Sequence, residues 1–152
     1  MKNFILPVYL FLAAVFFVQM KGIGQRGPVL NHVAIYVTDL TRSASFYENI
    51  VGLDTIPEPF HDGRHKWFRV GKKSHLHIIS GAKIIQSHDK NSHLCFSIRS
   101  MDNFIKVLEK EGIEYEDWPG KPKAVTTRVD GVKQIYFKDP DGYWVEINNA
   151  KK

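Results

Sequence analysis

The chain of 152 residues predicts an α+β fold in which one strand–helix–strand unit is used twice. Three observations predict it. Apolar and polar residues alternate with period two in several short runs, the signature of strands with one packed face. The order of elements over about residues 29–80 recurs over about residues 92–150. Finally, the polar faces of four of these strands carry residues able to ligate a metal, namely His32, His77, His93 and Glu146, at corresponding points of the two halves.

In the first half, Asn31 to Val37 reads as a strand, with Val33, Ile35 and Val37 on one face and His32 on the other. Asp39-Leu40-Thr41 is a helix-capping signal leading into Arg42 to Glu48. Val51-Gly52-Leu53 closes that helix, because Gly52 can adopt the left-handed conformation that ends one. A short extended segment, Asp54 to Ile56, precedes a loop through Gly63. The strand His65 to Val70 follows, and Gly71-Lys72-Lys73 turns the chain into Ser74 to Ser80. There Leu76 and Ile78 oppose His75 and His77.

Residues 81–91 read as a polar connector, after which the pattern restarts. Ser92 to Ile98 sets Leu94, Phe96 and Ile98 against His93. Ser100 opens a helix through Lys110 with an apolar stripe of Phe104, Ile105, Val107 and Leu108, and Glu111-Gly112-Ile113 ends it. Extended segments follow around Glu114 to Glu116 and at Lys133 to Lys138. Asp139-Pro140-Asp141-Gly142 is a strong turn. The last strand, Tyr143 to Asn148, opposes Glu146 to Tyr143, Val145 and Ile147.

The amino terminus has a different character. Lys2, an apolar run from Phe4 to Val18, and the small residues Gly22 and Gly24 form a secretory signal pattern, with cleavage expected before Gln25. The apolar run is shorter than a membrane span needs. Residues 1–24 are therefore expected to be a signal peptide and residues 25–152 a single exported domain, periplasmic or secreted. The membrane is met only through the signal segment before cleavage. The lone Cys95 excludes an intrachain disulfide, and its place on the His93 face suits a cavity-lining residue rather than a nucleophile. The net charge of +5 weakly favours an anionic ligand. With no basic stripe interleaved with aromatics, nucleic acid is not an expected partner.

A single strand histidine is more often structural than a ligand. Four metal-capable residues at repeat-equivalent positions are a different case, since two curled sheets packed as pseudo-twofold mates would bring His32, His77, His93 and Glu146 together. His75 shares the face of His77 and competes with it. His61, His65 and His88 fall in or near polar loops and are expected to be solvated. Imidazoles with one carboxylate suit Zn²⁺, Ni²⁺, Co²⁺, Mn²⁺ or Fe²⁺. Arg69, alternating with Trp67 and His65, and Trp144, on the face of Glu146, are the substrate-contact candidates. The loop Trp118 to Lys123 is an ordinary connector by preference over a lid.

The stretches Asn31 to Ile35 with Phe46 to Leu53, Ser92 to Phe96, and Phe137 to Glu146 resemble the vicinal oxygen chelate superfamily, which includes glyoxalase I, extradiol dioxygenases, methylmalonyl-CoA epimerase and fosfomycin or bleomycin resistance proteins. The resemblance implies two paired βαβββ modules forming a curled mixed sheet around a cavity, with one divalent metal held by His32, His77, His93 and Glu146. The glyoxalase I pattern usually has Glu where this chain has His77. The resemblance further implies a lyase or isomerase of lactoylglutathione lyase type, acting on a small substrate with adjacent oxygens. A metal-chelated enediolate would form, with either Glu146, transiently released, or a metal-bound hydroxide as the base. The alternatives are an Fe²⁺ ring-cleaving dioxygenase, which a fourth ligand at His77 weakens, and a drug- or metabolite-binding protein without turnover. The modules are expected to pair either within one chain or across a homodimer.

Overall fold

The computed structural model describes residues 27–151, so the signal segment expected over residues 1–24 lies outside the described residues. The element order is β1 (His32–Val37), α1 (Leu40–Asn49), β2 (Thr55–Ile56), β3 (His65–Val70), β4 (Ser74–Ser80), β5 (His93–Ser97), α2 (Met101–Lys110), β6 (Thr126–Thr127), β7 (Lys133–Lys138) and β8 (Trp144–Asn148). This is βαβββ twice, as the repeat implies. Each module makes its own four-stranded mixed sheet, ordered β1-β4-β3-β2 and β5-β8-β7-β6. The two paired modules are as expected; their sheets are not closed on each other, and β1 and β5 are both edge strands. Glu114 to Glu116, expected to be extended, forms no strand but contributes two isolated bridges, from Glu116 to Pro122 and to Tyr136 on β7.

Local chemistry accounts for the elements. The Asp39 carboxylate accepts from the Arg42 amide at 3.0 Å and starts α1, and the Ser100 hydroxyl does the same for α2 from Asn103 at 3.3 Å, each satisfying a donor that a helix start leaves unpaired. Both helices end at a glycine with positive φ, Gly52 at 80° and Gly112 at 67°.

The repeat extends to the sheet register. In the parallel pair β1/β4, His32 faces His75, so His77 is its diagonal neighbour two residues on. In β5/β8, His93 faces Trp144, and Glu146 is the diagonal neighbour in the same sense. On the third strand, Trp67 faces His77 and Tyr136 faces Glu146. The two modules thus present the same three-position pattern, His32–His77–Trp67 and His93–Glu146–Tyr136.

The opposite faces of both sheets share one core. Ile35, Val37, Phe68, Leu76 and Ile78 from the first sheet join Ile135, Phe137, Val145 and Ile147 from the second, with Phe46, Tyr47, Phe104 and Leu108 of the helices between them. The modules are fastened by the turn between β7 and β8. Asp141 accepts from the Thr38 amide at 2.6 Å, the Thr38 hydroxyl at 2.7 Å and the Ser43 hydroxyl at 2.6 Å, with Arg42 at 3.7 Å. Asp139 accepts from the Tyr47 hydroxyl at 2.8 Å. Gly142, at φ 87°, lets this turn approach the connector: a Cβ there would lie 2.5 Å from the Gln86 carbonyl oxygen.

Burial pushes the Asp141 carboxyl up, but hydrogen bonds from Ser43 and Thr38 and the charge of Arg42 outweigh it and hold the group below its ordinary value of 3.8. A depressed carboxylate adds stability that is present above its unfolded pKa and is lost as pH falls through its folded pKa. Asp141→Asn should accordingly cost about 2 kcal/mol at neutral pH, the scale of hydrogen bonds to a charged group. Urea denaturation of both proteins from pH 7 downward should show the gap closing only below the usual carboxylate range.

Candidate metal centre

Because the apolar faces of both sheets enter one core, their polar faces turn away from it. The four expected ligands consequently come together as two pairs, His32 with His77 and His93 with Glu146, rather than as a quartet within one chain. Among the described residues, no group of three or more His, Cys, Asp or Glu side chains is placed to hold a metal ion.

In the first pair, the rings of His32 and His77 stack with centroids 4.2 Å apart and planes 7° apart. Trp67 covers the other face of His77 at 3.9 Å and 1°. His77 is thereby sandwiched and buried, and burial, reinforced by the positive charges of His32, His75 and His65, pulls its pKa down to about 4. It is a neutral imidazole at physiological pH, the form a metal requires. Among the described residues its Nε2 has no hydrogen-bond partner, an uncommon state for a buried polar atom. His32 Nδ1 lies 2.8 Å from Asn31 Oδ1; an amide oxygen accepts, so Nδ1 donates this bond.

The second pair is more heavily built. His93 Nδ1 is 2.7 Å from the Lys90 carbonyl oxygen. A carbonyl only accepts, so Nδ1 donates this bond. The ring's Nε2 lies 3.1 Å from Glu146 Oε2. Glu146 also accepts from the Tyr136 hydroxyl at 2.8 Å, the Asn148 amide at 2.9 Å and the Cys95 thiol at 3.2 Å. Burial alone would raise its pKa; hydrogen bonds from Asn148, Tyr136 and Cys95, with His93 beside it, lower it below the ordinary value. Cys95, by contrast, is pushed up to about 12 by burial and then by Glu146. Cys95 is exposed and donates its thiol hydrogen to Glu146.

The donor set fits a divalent cation: three imidazoles, of which the neutral His77 has an orphaned Nε2, and one carboxylate held ionised. The substrate candidates separate. Trp144 lines a cavity of about 460 Å³ with Tyr136, Glu116 and Lys138, and its indole donates to the His88 carbonyl at 3.0 Å. Arg69 is exposed on the face of Trp67, and the cavity of about 520 Å³ beside His32 and His77 is lined instead by Phe60, His65, Trp67 and His75, among others.

Sequence reasoning overlooked several residues. His65, expected to be solvated, packs against Phe60 at 4.6 Å and holds Asp62 at 2.9 Å. His88, also expected to be solvated, stacks on Tyr143 at 3.9 Å. Asn148 was findable, because it shares the alternation of Glu146 on β8, whereas Tyr136 reaches Glu146 from β7, across a register the sequence leaves open. Lys90, in a connector without periodicity, carried no such signal.

The family model for the Glyoxalase/Bleomycin resistance protein/Dioxygenase superfamily matches residues 29–147. The chain belongs to this superfamily. It is similar to Glyoxylase I 4 of Arabidopsis thaliana, 27% identical over 127 residues that cover 80% of this chain and 70% of that protein. It is similar to the metallothiol transferase FosB of Staphylococcus epidermidis, 27% identical with 80% and 81% covered. It is also similar to a lactoylglutathione lyase of Pseudomonas aeruginosa, 26% identical with 80% and 82% covered. Among solved structures, a glyoxalase/dioxygenase from Nostoc punctiforme shares the fold at a TM-score of 0.66 and 24% identity, covering 82% of this chain and 92% of that one.

The depressed His77 pKa has a consequence for the metal-free protein. A histidine that is neutral when folded and titrates near 6.5 when unfolded destabilises the fold as pH falls from 6.5 toward about 4. His77→Phe keeps a ring between His32 and Trp67 but removes that proton uptake. Over this window it should recover on the order of 2–3 kcal/mol of the acid-induced loss, measurable by thermal denaturation at pH 7 and pH 4.5 with a chelator present.

Proposed function

We propose that the chain is an exported, divalent-metal-dependent lyase or isomerase of glyoxalase type. Its centre is completed by a second copy, one chain supplying His32 and His77 and the other His93 and Glu146. The observation that carries this reading is the separation of two well-formed ligand pairs on outward faces, each next to an edge strand. Edge strands are surfaces on which another chain can dock, and a twofold dimer would create two equivalent centres. The relatives named as a lyase and a metallothiol transferase support an enzyme over a passive binder.

The substrate class is a small molecule with adjacent oxygens and a proton on the carbon beside a carbonyl. The metal, when bound, supplies a Lewis acid that eases removal of that proton. The chain's own residues do the rest. The Glu146 carboxylate, kept ionised by Asn148, Tyr136 and Cys95, is the group that takes the proton. Tyr136 stays protonated, since burial and the nearby Glu146 charge raise its pKa, and it holds Oε2, the oxygen that also faces His93. Trp144 walls the cavity behind Glu146, and Trp67 with Phe60 walls the space beside His77, which limits water.

Elemental mass spectrometry of the cleaved form, purified without a histidine tag, should give close to one divalent metal per chain. His77→Ala and His93→Ala should each abolish it. Unfolding and refolding the two variants together should restore about a quarter of the wild-type metal, because random pairing leaves one centre intact in each mixed dimer. No restoration, with each variant dimeric and folded, would place the centre within one chain.

Turnover is a separate question. Exchange of the proton beside the carbonyl, followed by NMR in deuterated water over a panel of α-hydroxyketones and hemithioacetals, should occur with at least one member. Glu146→Gln should slow it by about 10²–10⁴-fold, the usual contribution of a general base.

A further inference from the structure

Lys90 lies in the connector between the modules, a place where a lysine would ordinarily reach into water. Here its side chain folds inward and is 17% exposed. The ammonium pairs with Glu116 and donates to the carbonyl oxygens of Asp117 at 3.3 Å and Trp118 at 3.2 Å. It stands 4.8 Å from the ring centroid of Trp144, 5.5 Å from that of Tyr136 and 5.9 Å from that of Trp118, all within the reach of cation–π attraction. An ammonium with this many partners fixes the backbone from which it springs. That backbone is held again by the turn at Asp89, whose carbonyl accepts from the Ser92 amide at 2.9 Å and whose carboxylate accepts from the Asn91 amide at 2.8 Å.

The same residue's carbonyl oxygen accepts from His93 Nδ1 at 2.7 Å. Tyr136, one of the three rings around the ammonium, packs edge-on against His93 with centroids 5.6 Å apart and donates to Glu146. Lys90 therefore touches the supports of both members of the pair, His93 through its main chain and Glu146 through Tyr136.

We propose that Lys90 is a positioning residue for the His93–Glu146 pair: its anchored side chain sets the carbonyl that selects the Nδ1–H form of His93, leaving Nε2 free toward the metal. This rests on the reading of His93 and Glu146 as ligands. It assigns a role to a connector residue that neither strand periodicity nor ligand chemistry singles out. Outer partners of metal-binding histidines commonly fix the ring's tautomer and orientation, and losing one weakens metal binding about 10–100-fold.

The test uses Ni²⁺ as the probe, titrated into the cleaved full-length domain against a competing chelator. It is paired with ¹⁵N chemical shifts of the His93 ring in the metal-free protein. Lys90→Met keeps the aliphatic stem and removes the charge, while Glu116→Gln leaves Lys90 in place and removes its anionic partner. Both should weaken Ni²⁺ binding about tenfold or more and turn the single Nδ1–H signature of His93 into a mixture. Lys90→Arg, which keeps the charge and the ring contacts, should restore both readouts.

Wild-type Ni²⁺ affinity in Lys90→Met overturns the proposal. So does weakened affinity with the His93 signature unchanged, since that is what a merely structural lysine would give. His93→Ala serves as the separate control. If it binds Ni²⁺ like the wild type, the ligand reading itself fails. If it loses Ni²⁺ while Lys90→Met does not, only the role of Lys90 falls.

Discussion

The seating of the β7–β8 turn on the first module governs how everything else is placed. Asp141 gathers the Thr38 amide, the Thr38 hydroxyl and the Ser43 hydroxyl, and Asp139 takes the Tyr47 hydroxyl. Buried carboxylates are tolerated only with such donors, so the turn has one place to sit. Seated there, it presses the apolar faces of both sheets and both helices into one core. The polar faces are then forced outward. The same contact that makes the chain one folding unit thereby keeps its two ligand pairs apart.

Much of this was readable in the chain. Alternation in β1, β4, β5 and β8 assigns His32, His77, His93 and Glu146 to the non-core faces, because a one-residue slip would bury every polar group. The helix starts at Asp39 and Ser100 and the stops at Gly52 and Gly112 follow from capping chemistry. The packing of module on module was not readable. Asp139-Pro140-Asp141-Gly142 announces a turn, yet nothing local says that its carboxylates meet Ser43 and Tyr47, 98 and 92 positions away. A quartet within one chain and a quartet shared by two chains have the same alternation, so face assignment alone could not choose between them.

The site shows a similar division. Ligand type is a local property and was legible. The supports of the ligands are non-local, and they were not, apart from those sharing a strand parity. Tyr136 meets Glu146 across the β7–β8 ladder, a register fixed only once the turn is placed. Lys90 meets Glu116 and Trp118 of one loop, Tyr136 of β7 and Trp144 of β8, and no periodic signal marks such a convergence.

The two pairs are equivalent in register but not in chemistry, and the difference suggests a division of labour. His77 is held by stacking between His32 and Trp67, which supplies dispersion and excludes water but no hydrogen bond to Nε2. A ring held this way keeps its lone pair and stays neutral well below physiological pH. Glu146 is held by hydrogen-bond donors, which keep it ionised in spite of burial. One pair thus offers neutral nitrogen without a competing proton, and the other offers fixed negative charge with a base's oxygen. A cation bridging them would carry three neutral ligands and one carboxylate, leaving residual positive charge on a divalent ion. A substrate with adjacent oxygens that gains negative charge as it loses a proton is the kind of molecule such a centre would hold more tightly as the reaction proceeds.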